Sequence, residues 1–286
     1  MSSHTAHGPA ATAHETTAPG AGPAGGTGPA GGTDPAPGRR RGPMAAVLAA
    51  ETRLFLREPS SLFWILAFPA VLLVILGFVP AFNEPEEGLG NRRVIDLYVP
   101  VSILLAMIMS GLQAMPPVLA GYRERGILRR MSATPVRPSA LLTAQIALHG
   151  VAALASAVLV VAVGRIAYDV PLPGHLPGYA LALLLALAAA LALGATITGL
   201  FRTAKAATAV GSVSYIVMMF TAGVWVPVQA MPGTLRRVVE FSPFGSAAQA
   251  LGEAAAGQWP SWSHLAVVAL WTLVAGYAAG RVFRWQ

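Results

Sequence analysis

Cysteine is absent from the 286 residues, which removes disulfides, thiolate metal sites and a cysteine nucleophile from consideration. Lysine occurs once, at Lys205 in the stretch RTAKAAT, with no glycine-rich run before it. A phosphate loop of the form GxxxxGK[ST] is therefore missing, and with it that means of gripping ATP. Charge is scarce as well. Asp, Glu, Lys and Arg make up 11% of the chain, against about a quarter in a soluble protein. No pair of catalytic carboxylates, no metal-ligand spacing and no nucleophile–base constellation stands out, so neither a catalytic residue nor a metal site is expected. A net charge of +7 raises the question of nucleic acid. The arginines fall in short clusters between apolar runs, however, with no basic face carrying aromatics, so lipid headgroups or a protein partner suit them better.

What the chain has in quantity is apolar surface: 55% hydrophobic residues and a mean hydropathy of +0.61. Lipid is its expected solvent. Residues 1–43, rich in Gly, Pro, Ala and Thr, bury too little to offset their ordering entropy and read as a disordered tail. The tail shows no signal-peptide pattern, and Met44 is a candidate start. Residues 44–58, MAAVLAAETRLFLRE, space Val47, Leu48, Leu54 and Phe55 along one helical face and read as an amphipathic helix on the membrane surface, ended by Pro59. Six apolar segments follow, each near the roughly 20 residues that span a bilayer: 61–80, 97–120, 141–164, 178–200, 206–227 and 263–283. Pro69 in the first predicts a kink. The expected fold is thus an all-α integral membrane domain over residues 44–286.

The basic residues orient it. With both termini in the cytoplasm, the arginine clusters at 39–41, 53–57, 123–137 and 281–284 lie inside together with Arg202 and Lys205. Only Arg92, Arg93, Arg165, Arg236 and Arg237 remain outside, as the positive-inside rule requires. Arginine carries almost all the positive charge, a bias typical of GC-rich bacterial genomes, so a bacterial plasma membrane is expected.

Two irregular regions stand out. The cytoplasmic stretch YRERGILRRMSATPVRPSALL, residues 122–142, forms a short helix over Arg123–Met131, with Ile127 and Met131 one turn apart and Leu128 beside them. Pro135 breaks it and Pro138 opens the third span. The physics alone leaves a positive-inside anchor and a docking element both open. Residues 228–260 are too interrupted to cross, and read as a pair of short helices at the outer face, re-entrant, flanked by Trp225, Trp259 and Trp262. Polar residues inside the spans mark a candidate substrate pathway: Gln113, Gln145, His149, Thr198, Ser214 and Tyr215. His149 has no carboxylate near it in the spans, so a hydrogen bond to a neighbouring helix is the expected role. Arg165 and Asp169, one turn apart, suggest a surface ion pair. Gly276 and Gly280 make a small-xxx-small pattern, suited to close helix packing within the chain or between two copies.

The element from Glu124-Arg125-Gly126 to Pro138, taken with the outer segment of Pro227, Met231, Pro232, Leu235 and Ser242-Pro243-Phe244, resembles the membrane subunit of type-2 ATP-binding-cassette exporters. The daunorubicin/doxorubicin-exporter-like permeases are the nearest likeness, over residues 44–286. The resemblance implies a permease that exports a drug-like or lipid-like amphipathic substrate. ATP and Mg²⁺ would be bound by a separate ATP-binding subunit, and a second permease chain, identical or not, would complete the transporter. It implies that Glu124, Arg125, Gly126, Ile127, Arg130 and Met131 form the partner-coupling element, and that Pro227, Met231, Pro232 and Pro243 belong to an outer gate. A stand-alone carrier or channel is the alternative, and it predicts intramembrane carboxylates or inverted repeats.

Overall fold

The computed structural model describes residues 43–89, 91–131 and 139–282. The expected disordered tail lies outside these residues, as do Pro135 and Pro138 of the basic loop. The described residues form an all-α integral membrane protein. Helix α1 (Pro43–Leu56) precedes the first of six helices long and apolar enough to cross a membrane. These are α2 (Pro59–Gly77), α3 (Val94–Glu124), α5 (Ser139–Tyr168), α6 (Leu176–Leu200), α7 (Ala204–Thr221) and α10 (Trp262–Val282). Between them stand α4 (Ile127–Met131), α8 (Gly233–Glu240) and α9 (Pro243–Ala255). The only strands among the described residues are β1 (Pro85–Glu86) and β2 (Arg92–Arg93), paired antiparallel with Glu86 opposite Arg92.

Helix boundaries follow backbone chemistry. The first span starts earlier than expected because Pro59, whose missing N–H suits a first helical turn, opens it rather than ending α1. The second runs on through Arg123 and Glu124, which the sequence had suggested for the short loop helix. The break comes at Gly126, held at φ 67°, a conformation glycine adopts freely. The fifth ends at Thr221 rather than 227, where Gly223 turns the chain at φ 85°.

Helix α3 is the axis of the bundle, enclosed along most of its length, with α5, α6, α7 and α9 packed around it. Its closest approach is to α6. A Cβ on Gly194 would overlap the carbonyl oxygen of Gly111, and a Cβ on Gly211 of α7 would stand 2.5 Å from that of Leu112. Missing side chains therefore let α6 and α7 grip α3 backbone to backbone, where dispersion and close packing hold membrane helices together.

Two stretches inside the spans are wound as π-helix: Phe63–Ala67 in α2 and Met109–Ala114 in α3. Each is followed by proline. Pro69 has no N–H for the carbonyl of Ile65 and would crowd it; Pro116 and Pro117 do the same to Leu112 and Gln113. Opening the helix by one residue relieves the crowding, and α5 supplies a further donor at this segment, Ser156 Oγ donating to Leu66 O at 3.3 Å. The kink expected at Pro69 takes this form.

At one end of the bundle α9 is inserted, nearly all of it buried against α6, α10 and α3. Arg93 closes the same end: its guanidinium reaches Asp96 at 2.6 Å and Tyr168 O at 3.0 Å, tying the start of α3 to the end of α5. The Asp96 partnership holds the Arg93 guanidinium above its ordinary value. The suggested Arg165–Asp169 pair is not formed. Asp169 has left the helix at φ 51°, so it no longer lies one turn from Arg165.

Candidate functional site

The two π segments face one cleft of about 460 Å³ between α2, α3 and α7, within the size range of small-ligand sites. Trp64 and Ile65 come from the first segment, Met109 and Gln113 from the second, and Tyr215 from α7, with Ser60 and Ser61 at the rim. No lining residue is charged. Trp64 is steadied by Phe63 and Phe68, whose rings lie 5.4 Å and 4.8 Å away. Ser212 donates to Gln113 Oε1 at 3.2 Å, which leaves the Gln113 amide hydrogens for other acceptors. An aromatic plate, an amide and three hydroxyls in an apolar wall can hold a molecule that is flat, mostly apolar and hydrogen-bonding. Of the suggested pathway residues, Gln113 and Tyr215 are brought together here.

The others go elsewhere. Thr198 is buried and donates to Gly194 O of its own helix at 2.9 Å, so its hydroxyl faces α6 rather than a pathway. Ser214 is half-buried on α7 and does not line the cleft. Gln145 and His149 belong to a separate cluster under α1. In that cluster the inward side of α1 carries Val47 and Phe55 of the expected apolar face with Glu51 between them, 7% exposed, while Leu48 and Leu54 of that face stay exposed. Glu51 Oε2 accepts from Gln145 Nε2 at 2.6 Å and from Tyr122 Oη at 3.0 Å. Burial pushes the Glu51 carboxyl above its ordinary value, the two hydrogen bonds offset part of this, and Glu58 nearby adds to it. His149 lies one turn beyond Gln145 and takes a hydrogen bond with Ser110, as expected of it. Phe55 packs edge-on at 5.4 Å.

The end of α3 nearest this cluster is a joint. Arg123 Nη1 donates to the carbonyls of Thr198 at 3.0 Å and Phe201 at 3.3 Å, closing the C-terminus of α6. Next to it, Glu124 Oε2 accepts from Ala204 N at 2.9 Å, capping the N-terminus of α7. A cation on a helix C-terminus and an anion on a helix N-terminus each match the local dipole. Arg125 turns back onto Gly121 O at 3.2 Å and over the Tyr122 ring at 5.5 Å. Gly126 makes the turn, and α4 then sets Leu128, not Ile127, into the core, leaving Ile127 partly exposed and Arg130 exposed. The side chain of Met131 lies outside the described residues.

The family profile described as ABC-2 type transporter matches residues 44–254. The chain belongs to that family. It is also 24% identical over 224 residues, 77% of this chain and 88% of the relative, to a Bacillus subtilis (strain 168) protein named "Putative transport permease YvfS". This chain is thus an ABC transporter permease, and its matched region contains the cleft, the joint and the Glu51 cluster.

At the opposite end of the permease, the suggested gate residues hold the short helices in place. Pro227 precedes a 3₁₀ turn over Val228–Ala230, Met231 is buried, Pro232 leads into α8, and Pro243 starts α9. Glu240 links the two helices, accepting from Arg236 Nε at 2.9 Å and Gln249 Nε2 at 2.8 Å. Burial alone would raise the Glu240 carboxyl, but these donors outweigh it and hold it below its ordinary value. Gly276 and Gly280 do not pack within the permease: a Cβ on either would meet nothing within 4 Å, and both line an open apolar groove between α5, α6 and α10. Among the described residues no group of three His, Asp or Glu side chains is placed to hold a metal ion.

Sequence reasoning missed Glu51, Arg123, Gly111, Gly194, Gly211 and Trp64. The prolines after each π segment were a usable signal for the cleft. Nothing in the sequence distinguished Gly194 from Gly280.

Proposed function

We propose that this permease is the membrane half of an ATP-driven exporter, moving a drug-like or lipid-like amphipathic molecule through the cleft between α2, α3 and α7. The observation that carries the reading is one helix with two working ends. The π segment of α3 walls an uncharged cleft that opens on an outward face of the bundle, and the same helix ends in the Arg123–Glu124 joint beside α4. A push on α4 is thereby delivered to α3, and through the two helix caps to α6 and α7, the last of which carries Tyr215. Glu124, Arg125, Gly126, Ile127, Arg130 and Met131 form the coupling element for a separate ATP-binding subunit, which holds ATP and Mg²⁺. Polar side chains on a lipid-facing surface are costly, so a second permease chain covers the cleft. Both termini lie in the cytoplasm of a bacterial plasma membrane, and α8 and α9 with Pro227, Met231, Pro232 and Pro243 form the outer gate.

A stand-alone carrier draws support from one observation, the placement of the Glu51 carboxylate beside His149. That cluster lies at the joint and not in the cleft, which favours the exporter.

The test is co-purification from the native host and ATP-dependent uptake of a lipophilic dye into inverted vesicles. An ATPase subunit retained by the wild type and lost with Ile127→Asp is expected. Uptake that proceeds without ATP would transfer the reading to the carrier.

A further inference from the structure

Under α1, apart from the cleft, lies a cavity of about 20 Å³ whose polar lining is Glu51, Glu58, Ser61, Tyr122, Gln145 and His149, with apolar side chains completing the wall. That is room for a single water. His149 is 1% exposed, and its Nε2 has no hydrogen-bond partner. Ser110 Oγ lies 2.9 Å from His149 O and 3.2 Å from His149 Nδ1, and with its one hydrogen it satisfies both contacts at once only in the tautomer that carries the ring hydrogen on Nδ1. In the neutral ring Nε2 is then a bare acceptor. Glu51 has the same shortage. Both of its donors, Tyr122 Oη and Gln145 Nε2, converge on Oε2 and leave Oε1 without either. Gln145 and His149 sit one turn apart on α5, so the Glu51 carboxyl and Nε2 open onto the same small space. The cavity holds acceptors on both sides and is short of one hydrogen.

We propose that this cavity is a proton-binding site, in which a proton on Glu51 is directed, straight or through one water, to Nε2 of His149. The charged and titratable groups around it agree. On and beside α1, Glu58 stands at the rim, where Ser61 of α2 donates to it at 3.2 Å, and Arg53 and Arg57 are exposed. From α3 come Tyr122 and Arg125, whose guanidinium is engaged with Gly121 O and the Tyr122 ring. From α5 comes His149 itself.

A carboxyl that binds its proton more tightly when buried stabilises the buried arrangement while protonated. That contribution is complete at low pH and is lost as pH rises through the raised value. Proton binding therefore fastens α1 against α3 and α5 beside the joint, and proton loss loosens it. The inference concerns this chain alone and stands whether or not the exporter reading does.

The experiment is a pH titration of the full chain in lipid nanodiscs, followed by infrared difference spectroscopy of carboxylic acid C=O groups. The wild type is expected to show one such band with a midpoint above the ordinary carboxyl value, and Glu51→Gln to delete it. His149→Phe removes the acceptor of the protonated form and lowers the midpoint, about a tenfold loss of proton affinity. Tyr122→Phe removes a donor to the ionised form and raises it. These opposite shifts also serve if Glu51→Gln fails to insert. Amide exchange across α1, corrected for intrinsic chemistry, slows below the midpoint in the wild type. A band that survives Glu51→Gln, a midpoint that ignores His149→Phe, or α1 exchange that does not follow the midpoint would overturn the proposal.

Discussion

Two small-residue pairs in this permease invite the same substitution with opposite results. An alanine at Gly194 puts a methyl into the carbonyl oxygen of Gly111 and 2.9 Å from the Met115 methyl. The methionine can swing aside, but the obstacle behind it is backbone. Helices α3 and α6 must then part by roughly 1 Å, a gap that forfeits a quarter to a half of the dispersion energy of each contact along the seam. Overpacking of this kind costs about 1–3 kcal/mol, and the upper end applies where no side chain can yield. Against it stands the gain of about 1 kcal/mol from replacing glycine inside a helix. The net loss is about 2 kcal/mol, roughly 4–8 °C in apparent melting temperature for a chain of this size. Gly280→Ala collects the same helical gain with nothing within 4 Å to meet. Melting of the detergent-solubilised protein, followed by size-exclusion chromatography, separates the two. Equal melting temperatures for the pair, or a Gly280 variant that melts lower than the Gly194 one, would refute the assignment of the tight seam to α3 and α6.

Arg123→Ala leaves the carbonyls of Thr198 and Phe201 without their donor and should lower the same melting temperature by an amount equal to about 1–3 kcal/mol. Lysine should rescue it only in part, since an ammonium does not fork as a guanidinium does. Tyr215→Ala and Gln113→Ala remove cleft contacts and should weaken dye-stimulated ATPase activity of the assembled transporter while leaving basal hydrolysis intact; equal loss of both activities would argue that the cleft is not where the dye binds. Because Glu240 is held below its ordinary carboxyl value of 4.5, its stabilisation of the α8–α9 link is complete above that value and lost as pH falls through the lowered one. Proteolysis of α8 should therefore accelerate only in acid, and Glu240→Gln should flatten that dependence.

Much of the architecture was legible because a bilayer imposes its demands locally. A helix that must satisfy its own backbone in lipid shows itself as an apolar run of fixed length, and Pro59, Gly126 and Gly223 mark ends that backbone chemistry alone dictates. By itself, then, the sequence determined the six apolar segments, the short helices between them, the absence of a phosphate loop and the basic stretch near Glu124. Tertiary structure decided which polar groups meet. In a chain apolar on every side, hydropathy does not say which face of a helix turns inward. Nothing in the pattern of α1 therefore set Glu51 apart, and only packing of α1 on α5 buried it against Gln145. Gln113 and Tyr215 share a cleft while Thr198 faces its own helix, although all three looked alike as polar residues in spans. Gly194 and Gly280 sit in equivalent small-residue surroundings, and only the backbone that arrives opposite each one tells a seam from an open groove. Such differences come from distances between segments far apart in the chain, which no local pattern encodes.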